Sequence, residues 1–385
     1  MDTSYSSSLQ CNLSLQTLPS LPSLQTKLSP KHLNLAVHHH ALDTLKPRGG
    51  AQITSLAVHH SLLYAAAGNE INVFDVNNLS LIDTFNDKDS SSGSIKSINF
   101  CKDRVFTAHQ DSQIRIWKLT AEKKHRLIGN LPTLTDRLRR SIFPGNYVRV
   151  RRHKKRLWIK HHDAVSGLAV TDLGRICSVS WDKTLKIWDG NSGFRCLQSV
   201  TAAHDDAVNA VVVSPDGTAF TGSADKRIRV WRAGPDGPGH VLVATLEKHR
   251  SAVNALALTS DGAVLFSGSC DRSILVWERE DSANYMVLTG ALRGHSGAIL
   301  CLVYVSDFLL SGSADRTVRI WQRAHEEQYC CLAVLDGHKK PVKSLTAVTG
   351  NGEGSHAGGV KVFSGSFDGE IMVWQVVVSN LDSPT

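Results

Sequence analysis

Nowhere in this chain do apolar residues run on for the roughly eighteen positions that a bilayer-spanning helix needs. The Ser-rich start has no basic flank followed by an apolar block, so the expectation is a protein neither secreted nor membrane-spanning. There is no CxxC, no Cys/His spacing suited to zinc, no HExxH and no Gly-rich phosphate loop. The eight cysteines (11, 101, 177, 196, 270, 301, 330, 331) fall mostly in apolar, strand-like runs and read as free thiols of a reducing compartment. No metal and no cofactor is expected. "HHH" at 38–40 is the nearest approach to a ligand set, and without companion ligands it reads as a polar strand end.

Acidic residues are scarce in one place. Residues 121–160 hold 13 Lys/Arg against only Glu122 and Asp136, a net +11, which leaves the rest of the chain at −3. The basic character of the protein therefore belongs to one segment. With 385 residues, 42% of them hydrophobic and 20% charged, the chain can bury a core large enough for several domains or for one large repeat fold.

A repeat is present. "SVSWDKTLKIWDG", "TGSADKRIRVWRA", "SGSCDRSILVWER", "SGSADRTVRIWQR" and "SGSFDGEIMVWQV" are copies of one unit in which an Asp precedes a Trp by six residues: Asp182/Trp188, Asp225/Trp231, Asp271/Trp277, Asp315/Trp321 and Asp368/Trp374. Asp111/Trp117 adds a sixth copy, and "AAGNEINVFDV" is a worn seventh with Phe74 in the Trp place. Upstream of each of the last five Trp residues stands a His: His161, His204, His249, His295 and His338. The first two units lack it, which predicts that they are the softest. Successive Trp residues from Trp188 onward lie 43 to 53 apart, whereas Trp117 and Trp188 are 71 apart, so one unit carries an insertion, about residues 132–158. Within each unit apolar residues alternate, and Gly, Asp and Ser break the runs, which is the pattern of a small antiparallel sheet. One such sheet cannot bury both of its faces, and a ring of them can.

His, then Ser/Thr, Asp and Trp at these spacings resemble the WD-repeat family, and the resemblance implies an all-β fold, a seven-bladed β-propeller over about residues 32–378. More closely, "LPTLTDRLRRSIFPGNYVRVRRHKKRLWIKHHDAVSGL" resembles the plant WD-repeat proteins of the Jingubang type. That likeness implies a regulatory protein that binds a transcription factor or similar partner and restrains a developmental programme such as pollen germination or growth, in the nucleus and cytoplasm.

Residues 1–31 hold Ser, Leu and Pro with few charges and are expected to form a disordered tail; a plastid transit peptide, or a docking motif around Leu18–Leu24 with Ser29-Pro30 as a phosphorylation site, are the alternatives. After Trp374 only "QVVVSNLDSPT" remains, with 379–385 expected as a tail. The last blade therefore needs a strand from elsewhere, and "LNLAVHHHALDTLK" is predicted to close the ring as its outer strand.

The recurring Ser, His and Asp could suggest a nucleophile, but five copies with a Trp always attached read as structural hydrogen-bond chains, so no enzyme is expected. The expected role is a protein–protein interaction platform, monomeric. A cullin ubiquitin-ligase receptor is the alternative, although its Trp-acid-x-Arg/Lys signature fails at Trp188-Asp189 (Asn191 follows) and at Trp277-Glu278 (Glu280 follows). A second alternative is a nucleic-acid or anion scaffold acting through the basic segment; direct nucleic-acid binding is disfavoured because no recognition helix or zinc finger accompanies it.

The residue before each turn Asp is expected on one face of the ring in this family, and there Trp181 and Phe367 are the large side chains and the candidate partner contacts. In the insertion, Leu134, Leu138 and Ile142 stand four apart, so a short helix capped by Thr135 or Thr133 is predicted to lie on the propeller through them. Val148 and Val150 then alternate into Arg151, Arg152, Lys154, Lys155 and Arg156, which read as an import signal, an anion-binding patch or a solvated hairpin.

Overall fold

The computed structural model describes residues 35–86, 90–151, 154–234, 239–280, 286–324, 329–349 and 359–380. Seven four-stranded antiparallel sheets follow one another around a ring, with a separate two-stranded hairpin. The innermost strands of blades 1 to 7 are Ile53–His59, Ile95–Cys101, Val165–Val170, Val208–Val213, Val253–Leu258, Ile299–Val305 and Val342–Thr349. Each packs against its two neighbours, and the seventh packs against the first.

The core lies between blades. Between blades 5 and 6, for example, Phe266, Ile274 and Val276 meet Leu302, Leu309 and Trp321, and Trp321 is fully buried. The alternation seen in the sequence has this cause: one face of each sheet fills the seam with the blade before it and the other fills the seam with the blade after it. Glycine within the "SGS" runs has a separate reason. A Cβ on Gly268 would run into the side chain of Ile299, and one on Gly365 into Ile53, so the inner strand of the next blade can approach only over glycine.

The ring closes with the N-terminal strand. Leu35–Leu45 pairs antiparallel with Ile371–Asn380, from Leu35 opposite Asn380 to Leu45 opposite Ile371, as the outer strand of blade 7. His38, His39 and His40 lie in the middle of this strand, exposed, and not at its end. The insertion stands between blades 2 and 3: a helix, Leu134–Ser141, capped by Thr133, followed by a hairpin of Tyr147–Arg151 and Lys154–Leu157. The expected tail, residues 1–31, lies outside the described residues, as do 381–385. No helix among the described residues is long and apolar enough to cross a membrane.

Candidate functional site

Each of blades 3 to 7 contains one buried hydrogen-bond chain. In blade 5 the indole Nε1 of Trp277 donates to Ser267 Oγ at 2.8 Å, that oxygen lies 2.8 Å from His249 Nε2, and His249 Nδ1 lies 2.9 Å from Asp271 Oδ2. The chain repeats as Trp231, Thr221, His204 and Asp225 in blade 4, as Trp321, Ser311, His295 and Asp315 in blade 6, and as Trp374, Ser364, His338 and Asp368 in blade 7. In blade 3 Trp188, Ser178 and His161 keep it, but His161 Nδ1 bonds Thr184 Oγ1 at 2.9 Å and stands 3.4 Å from Asp182. The hydroxyls are the members whose positions the sequence left unassigned; in the "SGS" runs the first Ser, not the second, joins the chain.

The Asp does two jobs. In blade 5, Asp271 Oδ1 accepts from Ser273 N at 3.0 Å within its own turn, while Oδ2 accepts from Arg250 N at 3.0 Å in the loop entering the blade. Burial would raise the carboxyls of Asp182, Asp271 and Asp315, yet the adjacent histidines, together with bonds from Thr184, Ser273 and Thr317 in their own turns, hold all three far below the ordinary range. Burial also lowers His161 and His204, which favours the neutral ring; Nδ1–H then donates to Asp225 from His204 and to Thr184 Oγ1 from His161, and Nε2 is left to accept the hydroxyl proton.

Five segments, residues 154–189, 194–232, 240–278, 286–322 and 329–375, match the WD domain, G-beta repeat family, and they span just over half of the chain. The chain belongs to the WD-repeat family. Comparison with curated proteins finds no match.

As WD repeats, these chains are structural in form. Ser178, Thr221, Ser267, Ser311 and Ser364 have no solvent exposure, and each hydroxyl is already engaged by an indole as well as an imidazole. WD-repeat propellers are interaction scaffolds as a rule. Among the described residues no group of three His, Cys, Asp or Glu side chains converges as a metal site, and the seven described cysteines are free thiols; burial pushes Cys177 and Cys301 up to about 12.

Blades 1 and 2 lie outside the matched segments and are held differently. In blade 2, His109 from within the strand takes the place of the missing loop His: its Nε2 is 2.7 Å from Thr107 Oγ1, to which Trp117 Nε1 donates at 2.9 Å. Asn86 of blade 1 donates to Asn69 O and to Ser92 Oγ, joining the blade 1 turn to the entry of blade 2. Their seam also holds Asp83, His125 and Tyr64: Asp83 Oδ2 is 2.9 Å from His125 Nδ1, and His125 Nε2 is 3.1 Å from Tyr64 Oη. The ring of His125 stacks on Phe85. The pair of units expected to be softest thus has its own buried network, and nothing in the repeat pattern pointed to it.

Around the axis, one position recurs where each inner strand has an irregularity in register. In blades 3, 4 and 5 its occupants, Ser166, Asn209 and Asn254, donate to the backbone carbonyls of Val208, Val253 and Ile299 in the next blade. Lys96 and Lys343 occupy it in blades 2 and 7 and have no carboxylate partner among the described residues. Burial lowers both, and Lys343 further lowers Lys96. The Lys96 ammonium stands 5.3 Å above the ring of Trp181, which is 40% exposed. Phe367, the other expected contact, is half-buried.

The insertion departs from expectation. Its helix does not lie on the propeller through Leu134, Leu138 and Ile142, which are 67%, 60% and 75% exposed. It docks through Asp136 and Arg140. Asp136 accepts from Cys196 N at 3.2 Å and from Arg140 Nε at 2.9 Å, and Arg140 Nη2 donates to Cys196 O at 3.2 Å. Cys196 begins the outer strand of blade 3, whose free edge offers backbone groups that need partners. The Arg140 guanidinium also covers the ring of Trp158 at 4.4 Å, and Lys186 Nζ in blade 3 donates to Trp158 O at 2.6 Å. Leu157 and Ile159 enter the core between blades 2 and 3. Of the five basic candidates, Arg151 and Lys154 pair across the hairpin, Lys155 is exposed and Arg156 half-buried; Arg152 lies outside the described residues.

Proposed function

We infer that this WD-repeat protein is a non-enzymatic, monomeric platform that binds a protein partner on the face of the ring carrying Trp181. The observation that supports the reading is the Trp181–Lys96 pair: an indole 40% exposed beside an ammonium group of the neighbouring blade that meets no carboxylate among the described residues. Exposed aromatic rings at the centre of an interface carry much of its energy. Phe367 extends the same face. The likeness of the insertion to Jingubang-type proteins supports a plant regulator acting on a transcription factor in nucleus and cytoplasm, with Arg151, Arg152, Lys154, Lys155 and Arg156 as the import signal.

Proximity labelling in plant cells with the full chain, followed by pull-down, tests this. Trp181→Ala is expected to weaken capture of the labelled partner by about 2 kcal/mol, with the melting temperature unchanged. Undiminished capture by a folded Trp181→Ala protein would move the site off this face, and an absence of any protein partner would overturn the platform.

A further inference from the structure

The inverted helix leaves something unexplained. An amphipathic helix that turns its apolar stripe outward gives up the burial of Leu134, Leu138 and Ile142, and Phe143 beside them is 62% exposed as well. Between this helix and the hairpin lies a cavity of about 560 Å³ with Leu134, Leu138 and Tyr147 in its wall. Arg137, Lys155, Arg156 and Lys160 line the same cavity. None of these four cations has a carboxylate partner among the described residues. The one carboxylate in the lining, Asp111, is already engaged by Arg115 at 2.8 Å. Burial lowers Lys160, and repulsion from Arg137 and Arg156 lowers it further, so these two guanidinium groups stand close to its ammonium.

We propose that this cleft between the insertion's helix and hairpin binds an acidic, apolar-studded segment of a protein partner, its carboxylates meeting Arg137, Lys155, Arg156 and Lys160 and its apolar side chains covering Leu134 and Leu138. The proposal rests on the platform reading and names a second contact for it. Charge selects the occupant. Residues 1–34, the longest stretch of this chain outside the described residues, contain a single acid, Asp2, and cannot neutralise the cleft. A nucleic acid would satisfy the cations but leave the leucines bare. A membrane surface would cover an exposed helix, whereas these cations converge inside a concavity. An acidic peptide with interspersed Leu or Phe satisfies both halves.

The test uses the full chain and a fluorescein-labelled twelve-residue peptide of Asp, Glu, Leu and Phe, against a counterpart with Asn and Gln in place of the acids. The acidic peptide is expected to bind at least about tenfold more tightly than the amide peptide and to weaken as salt is raised. Arg137→Ser with Lys160→Ser, and separately Leu138→Ser, should each lower its affinity about tenfold without moving the melting temperature. Should the first double variant melt early, Lys155→Ser with Arg156→Ser serves in its place. Equal binding of the two peptides, unchanged affinity in the variants, or preferential binding to phosphatidylserine vesicles or to a single-stranded oligonucleotide would each overturn the proposal. Partner capture that still depends on Trp181 in the presence of any of these results would leave the platform standing and remove only this site.

Discussion

Asp83 and His125, from neighbouring blades, face each other with Oδ2 2.9 Å from Nδ1, and both side chains are almost fully buried. Hydrogen bonds from His125 and Lys124 outweigh burial and hold the Asp83 carboxyl below its ordinary range, while burial and Asp83 push the Tyr64 hydroxyl up to about 12. His125→Ala should therefore destabilise the ring by about 2–4 kcal/mol, since it leaves Tyr64 Oη without its imidazole partner, opens a buried gap beside Phe85, and leaves Asp83 only the bonds from Lys124 and the residue-125 backbone N–H. Tyr64→Phe added to it should cost much less than it does alone. Additive effects in a denaturant double-mutant cycle would show that the three do not act together.

Acid should weaken the fold in two stages. Burial lowers His125, His161 and His204 from 6.5, and His162 to about 4. Between the folded and unfolded values the unfolded chain binds more protons, so this stability is complete above 6.5 and is lost as pH falls toward about 4. The lowered Asp182, Asp271 and Asp315 add a further loss below 3.8. A melting temperature level just above neutrality and falling steadily from pH 6.5 downward is the expected result; a rise on acidification would contradict it.

Removal of residues 1–46 deletes the strand Leu35–Leu45 and bares the edge of Ile371–Asn380. That truncation should lower the melting temperature sharply, and removal of residues 1–28 should not, because it leaves every pair of that ladder in place. Equal melting of the two truncated proteins in a calorimetric scan would show that the closing strand contributes nothing.

Alanine at Arg151, Arg152, Lys154, Lys155 and Arg156 should leave the fold intact, because the insertion is anchored through Asp136, Arg140, Leu157 and Ile159. A fluorescent fusion of this variant is expected to leave the nucleus. Unchanged nuclear fluorescence would assign the import role elsewhere.

The number of blades, the closing strand and the site of the insertion could be read from residue spacing, because a repeat that buries two faces against identical neighbours writes the same alternation and the same Asp and Trp each time. Three features escaped that reading. The Asp83–His125–Tyr64 seam joins residues from different units and occurs once, so no period reveals it. His109 stands where other units have Ser, and only the strand geometry shows it replacing the loop His. The orientation of the helix Leu134–Ser141 ran against its own hydrophobic pattern.

By itself the amino-acid order determined a closed ring of small antiparallel sheets, because local alternation and turn residues act within a unit and repeat from unit to unit. Tertiary structure alone decided which way the insertion faces. The unpaired backbone edge at Cys196 drew Asp136 and Arg140 inward to satisfy its N–H and C=O groups, and the apolar stripe, together with the four cations of the cleft, was left turned toward solvent.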